Sequence, residues 1–207
     1  MSANVAIVDY GLGNLASVKK AFSAAGVNVR ITSNPRDIRS ATHIVLPGQG
    51  AYGEGMENLK KRHLIGVLET QVLNKKQPFL GICLGMQLLG KSSTEGGFHK
   101  GLGWLPGIVE KISDHPNVRL PHMGWDDIMF ITPSVFTKGI KNESDFYFAH
   151  SYVLKLAQPD LVIATCTYGE TFPAMIEANN IHATMFHPEK SQDNGLRLIQ
   201  NFLHFRS

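Results

Sequence analysis

The spacing of apolar positions changes period several times along the first half of the chain. VAIVDY at 5–10 is a continuous apolar run of strand length, and GLGN at 11–14 is a glycine-rich turn. Asn14 belongs to the residue types that cap helices, LASVKKAFSAA at 15–25 has helical spacing, and Gly26 is placed to end that helix. VNVRIT at 27–32 alternates as a strand does, PRDIRSA at 35–41 fits a short helix opened by Pro35, and HIVLPG at 43–48 is a buried-type strand. A longer helix is predicted over 53–76. PFLGI at 78–82 follows as a strand, and LGMQLLGKSS at 84–93 as the start of another helix. Strands and helices alternating at this spacing predict an α/β fold with a mostly parallel sheet covered by helices on both faces.

The second half reads differently. IVEKI (108–112), VRLPHMGW (118–125), DFYFAHSYVL (145–154), LVIATCTYG (161–169), FPAMIEANN (172–180) and IHATMFHPE (181–189) are β-branched or aromatic runs broken by Gly, Pro, Asn and Asp. They predict antiparallel additions to the sheet. DNGLRLIQNFLHF at 193–205 closes the chain as an amphipathic helix with Leu196, Ile199, Leu203 and Phe202 on its apolar side. No repeat or long linker divides residues 1–207, which predicts a single domain.

Composition narrows the function classes. The 207 residues are 43% hydrophobic, enough for a substantial core, and the formal charge of +3 is small. Its lysine pairs are scattered, so nothing points to nucleic acid or a membrane surface. The N-terminus lacks the pattern of a signal peptide, and no apolar run approaches a membrane span. Two cysteines make neither a disulfide framework nor a zinc site, so a cytoplasmic protein with reduced thiols is expected.

One of those cysteines carries the chemistry. Gly81-Ile82-Cys83-Leu84-Gly85 stands where a strand gives way to a helix, the pattern in which a sharp turn lifts a nucleophile above a sheet. The first-turn N–H groups there favour a thiolate and can hold an oxyanion, with the Leu84 amide as the natural donor. A thiol nucleophile needs a base, and the base needs an orienting group. His187 and Glu189 stand two apart in MFHPEKS, and in extended backbone such residues project to the same side. His43, His63, His99, His115, His122, His182 and His204 show no metal-ligand spacing, and GLGN lacks the third glycine of a dinucleotide loop. No metal and no organic cofactor is expected.

With these residues in view the chain resembles the class I, triad-type glutamine amidotransferases, and among them the glutaminase subunits of imidazole glycerol phosphate synthase. The motifs lie in family order: DYGLGNL (9–15), LPGQGAYGEGM (46–56), GICLGMQLL (81–89), GLGWLPG (101–107), PHMGWD (121–126), FYFAHSY (146–152) and FHPEKSQDNG (186–195). The resemblance implies that Cys83 attacks the glutamine amide to give a thioester and ammonia. His187 then serves as base and acid, and Glu189 as its orienter. It implies an oxyanion site from Leu84 and the loop Gly48, Gln49 and Gly50, and glutamine-binding roles for Gln87, Glu95, Ser151 and Tyr152. It further implies a heterodimer with a (β/α)8-barrel cyclase, docked over Asn14, Trp125, Tyr147 and Lys190, which receives the ammonia in histidine biosynthesis. Gln49 stands where the family loop has an apolar residue, and Met185 where glutamine is common. Those departures leave open a paralogue serving surface-sugar synthesis. The residues alone also leave open a solitary hydrolase of γ-glutamyl conjugates and a non-catalytic binding subunit.

Overall fold

The computed structural model describes residues 3–113, 115–116 and 118–205. Among them, a nine-stranded sheet carries the fold. Its parallel part consists of β1 (Asn4–Val8), β2 (Asn28–Thr32), β3 (His43–Leu46), β4 (Phe79–Ile82) and β13 (Ile181–Thr184). The antiparallel part consists of β8 (His122–Phe130), β9 (Ser144–His150), β11 (Val162–Tyr168) and β12 (Glu170–Ala178). The strand order is β2-β1-β3-β4-β13-β12-β11-β8-β9. Every residue of β3, β4 and β13 is buried, as central strands covered on both faces require.

The helices are α1 (Leu15–Ala24), α2 (Pro35–Ser40), α3 (Tyr52–Lys61), α4 (Ile65–Glu69), α5 (Leu84–Gln87) and α6 (Gln192–Leu203). Gly26 follows α1 in the left-handed region, as its position predicts. Asn14 does not cap with its side chain. Only its carbonyl serves, accepting the Val18 N–H at 3.1 Å, whereas Asn34 does cap α2 through Arg36 N at 2.9 Å.

The helix predicted over 53–76 is divided. The chain turns through left-handed His63 between α3 and α4, and a π turn covers Thr70–Asn74. Leu59 and Leu68 are nine positions apart, which at about 100° per residue sets them on opposite faces of one continuous helix. Both are fully buried, and the break allows it. The helix predicted to begin at 84 lasts only to Gln87. The serines that follow enter a strand.

The antiparallel additions do not all join one sheet. β7 (Gly107–Lys111) and β10 (Tyr152–Leu156) pair with each other and, with β5 (Ser92–Ser93) and β6 (His99–Lys100), form a separate four-stranded sheet. The single residue Ser151 separates β9 in one sheet from β10 in the other. The run IHAT is also reassigned, since β13 is parallel to β4 and antiparallel only to β12. It is the seam between the two halves.

In α6 the inward face is Gly195, Leu198, Ile199, Asn201 and Phe202, while Leu196 and Leu203 are only partly buried. The face is rotated from the predicted one because Gly195 packs directly on backbone. A Cβ there would lie 1.9 Å from the Pro188 carbonyl. Among the described residues, no helix is long and apolar enough to cross a membrane.

Candidate active site

Two neighbouring strand ends create the site. Thr184 of β13 is in register with Ile82 of β4, and the Cys83 N–H donates to the Thr184 carbonyl at 2.8 Å. The chain therefore delivers Cys83 from one strand and His187 from the other at the C-terminal edge of the parallel sheet, where open α/β sheets hold their ligands.

Cys83 is held in a backbone conformation that side chains rarely take, with φ 51° and ψ −107°. Both flanking glycines are required for it. A Cβ on Gly85 would lie 1.8 Å from the Leu46 carbonyl oxygen, and one on Gly81 would lie 2.8 Å from the Gly85 oxygen. The start of α5 is thereby pressed onto β3 and β4 with no room for a side chain. The Cys83 carbonyl accepts from Met86 N and Gln87 N, and the Leu84 amide donates to no group among the described residues. The side chain of Cys83 is 4% exposed, with Sγ 4.0 Å from the Ala149 carbonyl.

The histidine is fixed from three directions. Its Nδ1 is 2.8 Å from Glu189 Oε1, its N–H donates to the Tyr147 carbonyl at 2.8 Å, and its carbonyl accepts from Ser191 Oγ at 2.6 Å. The link between His187 and Glu189 is a 3-10 turn, Pro188–Lys190, in place of the extended pair expected from spacing. The turn brings the carboxylate to the ring all the same. Since a carboxylate only accepts, Nδ1 carries the proton in the neutral ring. Nε2 is buried without a hydrogen-bond partner. Burial disfavours the imidazolium, but the Cys83 sulfur and then the Glu189 carboxylate outweigh it and raise the His187 pKa to about 10.

The loop at 47–50 lies against the elbow. A Cβ on Gly48 would stand 2.6 Å from Leu84 Cβ, and one on Gly13 would stand 3.3 Å from Gly48 Cα. The amides of Gly48, Gln49 and Gly50 donate no hydrogen bond among the described residues, leaving them free beside the free Leu84 amide. Gln87 gives its Nε2 to the Tyr152 carbonyl at 2.8 Å. Glu95 accepts from Tyr52 N at 2.7 Å and so caps α3, directly after the loop. Ser151 contributes its carbonyl to Ile112 N at 2.9 Å. Gln87 and Tyr152 thus tie the helix after the elbow to β10, and Glu95 holds the start of the helix after the loop, while Ser151 bonds to the residue that follows β7. Among the described residues, no group of three or more metal-ligating side chains is assembled.

The family model for glutamine amidotransferase class-I matches residues 6–205. The chain belongs to the class-I glutamine amidotransferases. Among its curated relatives is imidazole glycerol phosphate synthase subunit HisH 1 of Campylobacter jejuni subsp. jejuni serotype O:23/36 (strain 81-176). That protein is 45% identical over 198 residues, 96% of this chain and 98% of that one. The subunit HisH of Aquifex aeolicus (strain VF5) is 44% identical over 95% of this chain and 94% of its own. Among solved structures, PurLQS from Thermotoga maritima shares the fold with a TM-score of 0.76 at 18% identity, covering 98% of both chains.

Two further residues of this amidotransferase chain reach the site without having been marked by their spacing. His150 donates Nδ1–H to the Tyr152 carbonyl at 3.1 Å, and its Nε2 is buried and unpartnered. Burial first, then the neighbouring His122, lowers its pKa to about 3, with His187 also contributing, so it stays neutral. The inward alternation of FYFAH was the available signal. Tyr10, two residues beyond β1, is fully buried beside Gly48. On the outer surface Trp125 is 48% exposed, its ring is edge-on to Tyr147 at 6.1 Å, and Lys190 Nζ stands 5.3 Å above the Tyr147 ring. These three are contiguous. Asn14 opens α1, and α1 packs on the turn Pro188–Lys190.

Proposed function

We propose that this chain is the glutamine-hydrolysing subunit of imidazole glycerol phosphate synthase, folding as one amidotransferase domain over its whole length. The meeting of Cys83, His187 and Glu189 at two adjacent strand ends carries the reading. In the reaction the Cys83 sulfur, its proton already held on His187 Nε2, attacks the side-chain amide carbon of glutamine. The resulting oxyanion is met by the Leu84 amide and by an amide of the Gly48, Gln49, Gly50 loop. His187 returns the proton to the nitrogen, ammonia leaves, and a γ-glutamyl thioester remains on Cys83. Water, deprotonated by His187, then releases glutamate. Glu189 holds Nδ1–H so that Nε2 is the working nitrogen throughout. Gln87, Glu95, Ser151 and Tyr152 shape the glutamine pocket from behind.

The ammonia goes to a partner cyclase of (β/α)8-barrel form, in a cytoplasmic heterodimer that makes imidazole glycerol phosphate and aminoimidazole carboxamide ribotide. Protonation in open water would cost ammonia its nucleophilicity, so a sheltered route suits the chemistry. Trp125, Tyr147 and Lys190 form the docking anchor, flanked by Met123, Met129 and Ile131, which are exposed at alternate positions in and just beyond β8. Asn14 completes the rim.

The test is to mix the chain with glutamine and its candidate cyclase and to follow glutamate with and without the acceptor nucleotide. Release that depends on both supports the reading. Equal release by the chain alone on γ-glutamyl conjugates overturns it in favour of a solitary hydrolase. Response to a sugar acceptor alone overturns the histidine assignment.

A further inference from the structure

Tyr10 is fully buried, and its hydroxyl has no hydrogen-bond partner. A buried unpaired hydroxyl carries a desolvation cost that phenylalanine in the same space would avoid. The phenol is not in neutral core. A Cβ built on Gly48 would stand 2.4 Å from Tyr10 Oη, so the hydroxyl fills the place over Gly48 Cα that a side chain would take. Gly13 and Leu84 pack on Gly48 from other sides. The Gly48 carbonyl accepts no backbone hydrogen bond among the described residues, and neither the Gly48 nor the Gln49 amide donates one. An unbonded hydroxyl and an unbonded peptide group therefore meet directly behind the elbow. Burial, reinforced by the nearby Cys83, pushes the phenol well above its ordinary pKa, so it remains a donor at any working pH.

We infer that Tyr10 is a positioning residue: its hydroxyl donates to the Gly48 carbonyl when the Gly48–Gln49 peptide turns the Gln49 N–H toward the oxyanion formed at Cys83. The inference rests on the glutaminase reading above. The two ends of a peptide group point in opposite directions, so anchoring the carbonyl is a means of aiming the N–H. The bond exists only in the turned loop. It therefore strengthens toward the transition state and leaves ground-state glutamine binding alone.

The test is Tyr10→Phe, which removes one oxygen and keeps the ring. Wild type and variant are each assayed alone and with the cyclase subunit. The expected result is a kcat lower by about 10- to 100-fold with KM within about 2-fold, the pattern of a lost transition-state interaction. Glutamate γ-semialdehyde adds reversibly to a thiol to give a tetrahedral adduct, and its affinity falls by the same factor as kcat. Alkylation of Cys83 by iodoacetamide, which forms no oxyanion, proceeds at the wild-type rate, and the melting temperature does not fall. Unchanged kcat and aldehyde affinity with a higher melting temperature overturn the inference and mark the hydroxyl as an unsatisfied core group. A parallel loss of alkylation overturns it too, by placing the effect on Cys83 itself. Wild-type protein that releases no glutamate under either condition overturns the glutaminase reading, and this inference with it.

Discussion

His187 Nδ1 lies 2.8 Å from Glu189 Oε1 across a single proline, and both side chains are 1% exposed. A carboxylate withdrawn this far from water keeps its hold on the ring, because solvent is not there to screen it. Glu189→Gln removes the charge and retains the shape. Glutamine turnover is expected to fall by roughly 10²- to 10⁴-fold, the usual worth of a positioned acid–base group. The His187 pKa, held at about 10 in the native protein, moves down, since Glu189 is one of the groups that raise it. NMR titration of the ring reads that shift directly. Stability from this imidazolium is fully present below its unfolded value of 6.5 and is lost as pH rises through 10, so the variant loses less stability at alkaline pH than wild type.

The elbow tolerates no side chain at Gly85. Replacing it by Ala forces a methyl to 1.8 Å from a backbone carbonyl that belongs to a central strand. A loss of about 3 kcal/mol or more is expected, or failure to accumulate folded protein. Urea unfolding measures it.

Acid weakens the fold through buried histidines. Burial lowers the pKa of His150 to about 3 and that of His182 to about 4, the latter among the rings of Phe136, Phe202 and Phe205. Both are neutral in the folded chain and become charged below 6.5 when it unfolds. Stability is therefore full above 6.5 and falls between 6.5 and 4 by about 1.4 kcal/mol per pH unit for each histidine. Denaturant titrations at pH 7 and pH 5 check the slope, and His182→Phe is expected to remove one proton from it.

Trp125 is expected to anchor the partner. Trp125→Ala weakens association with the cyclase by about 2 kcal/mol or more, near 30-fold, because large aromatics dominate such interfaces. Its ring is half exposed, so the melting temperature of the isolated chain stays where it is. Titration calorimetry of the two subunits separates these outcomes.

Much of the parallel half was legible because its strands are short, apolar and punctuated by Gly or Pro. FLGI and HIVL announce burial on both faces, and the glycines around Cys83 announce the elbow. What sequence did not carry was the path of the second half. IHAT is as apolar as FLGI, yet nothing local states that it lies beside β4, and that adjacency is what brings His187 to Cys83. β9 stands at the far end of the strand order, yet its Tyr147 carbonyl binds His187 N, a contact set by the curl of the whole sheet. Tyr10 and His150 were hidden for the same reason. Their positions read as ordinary core, and only the packing exposes an unpaired hydroxyl and an unpaired ring nitrogen.

The most direct measurement is intact-mass spectrometry of the chain, quenched in acid while it turns over glutamine beside its cyclase. The account predicts a γ-glutamyl adduct that maps to Cys83 and is absent from Cys83→Ala. Glutamate released by Cys83→Ala at the native rate, or an adduct on any other residue, would contradict it.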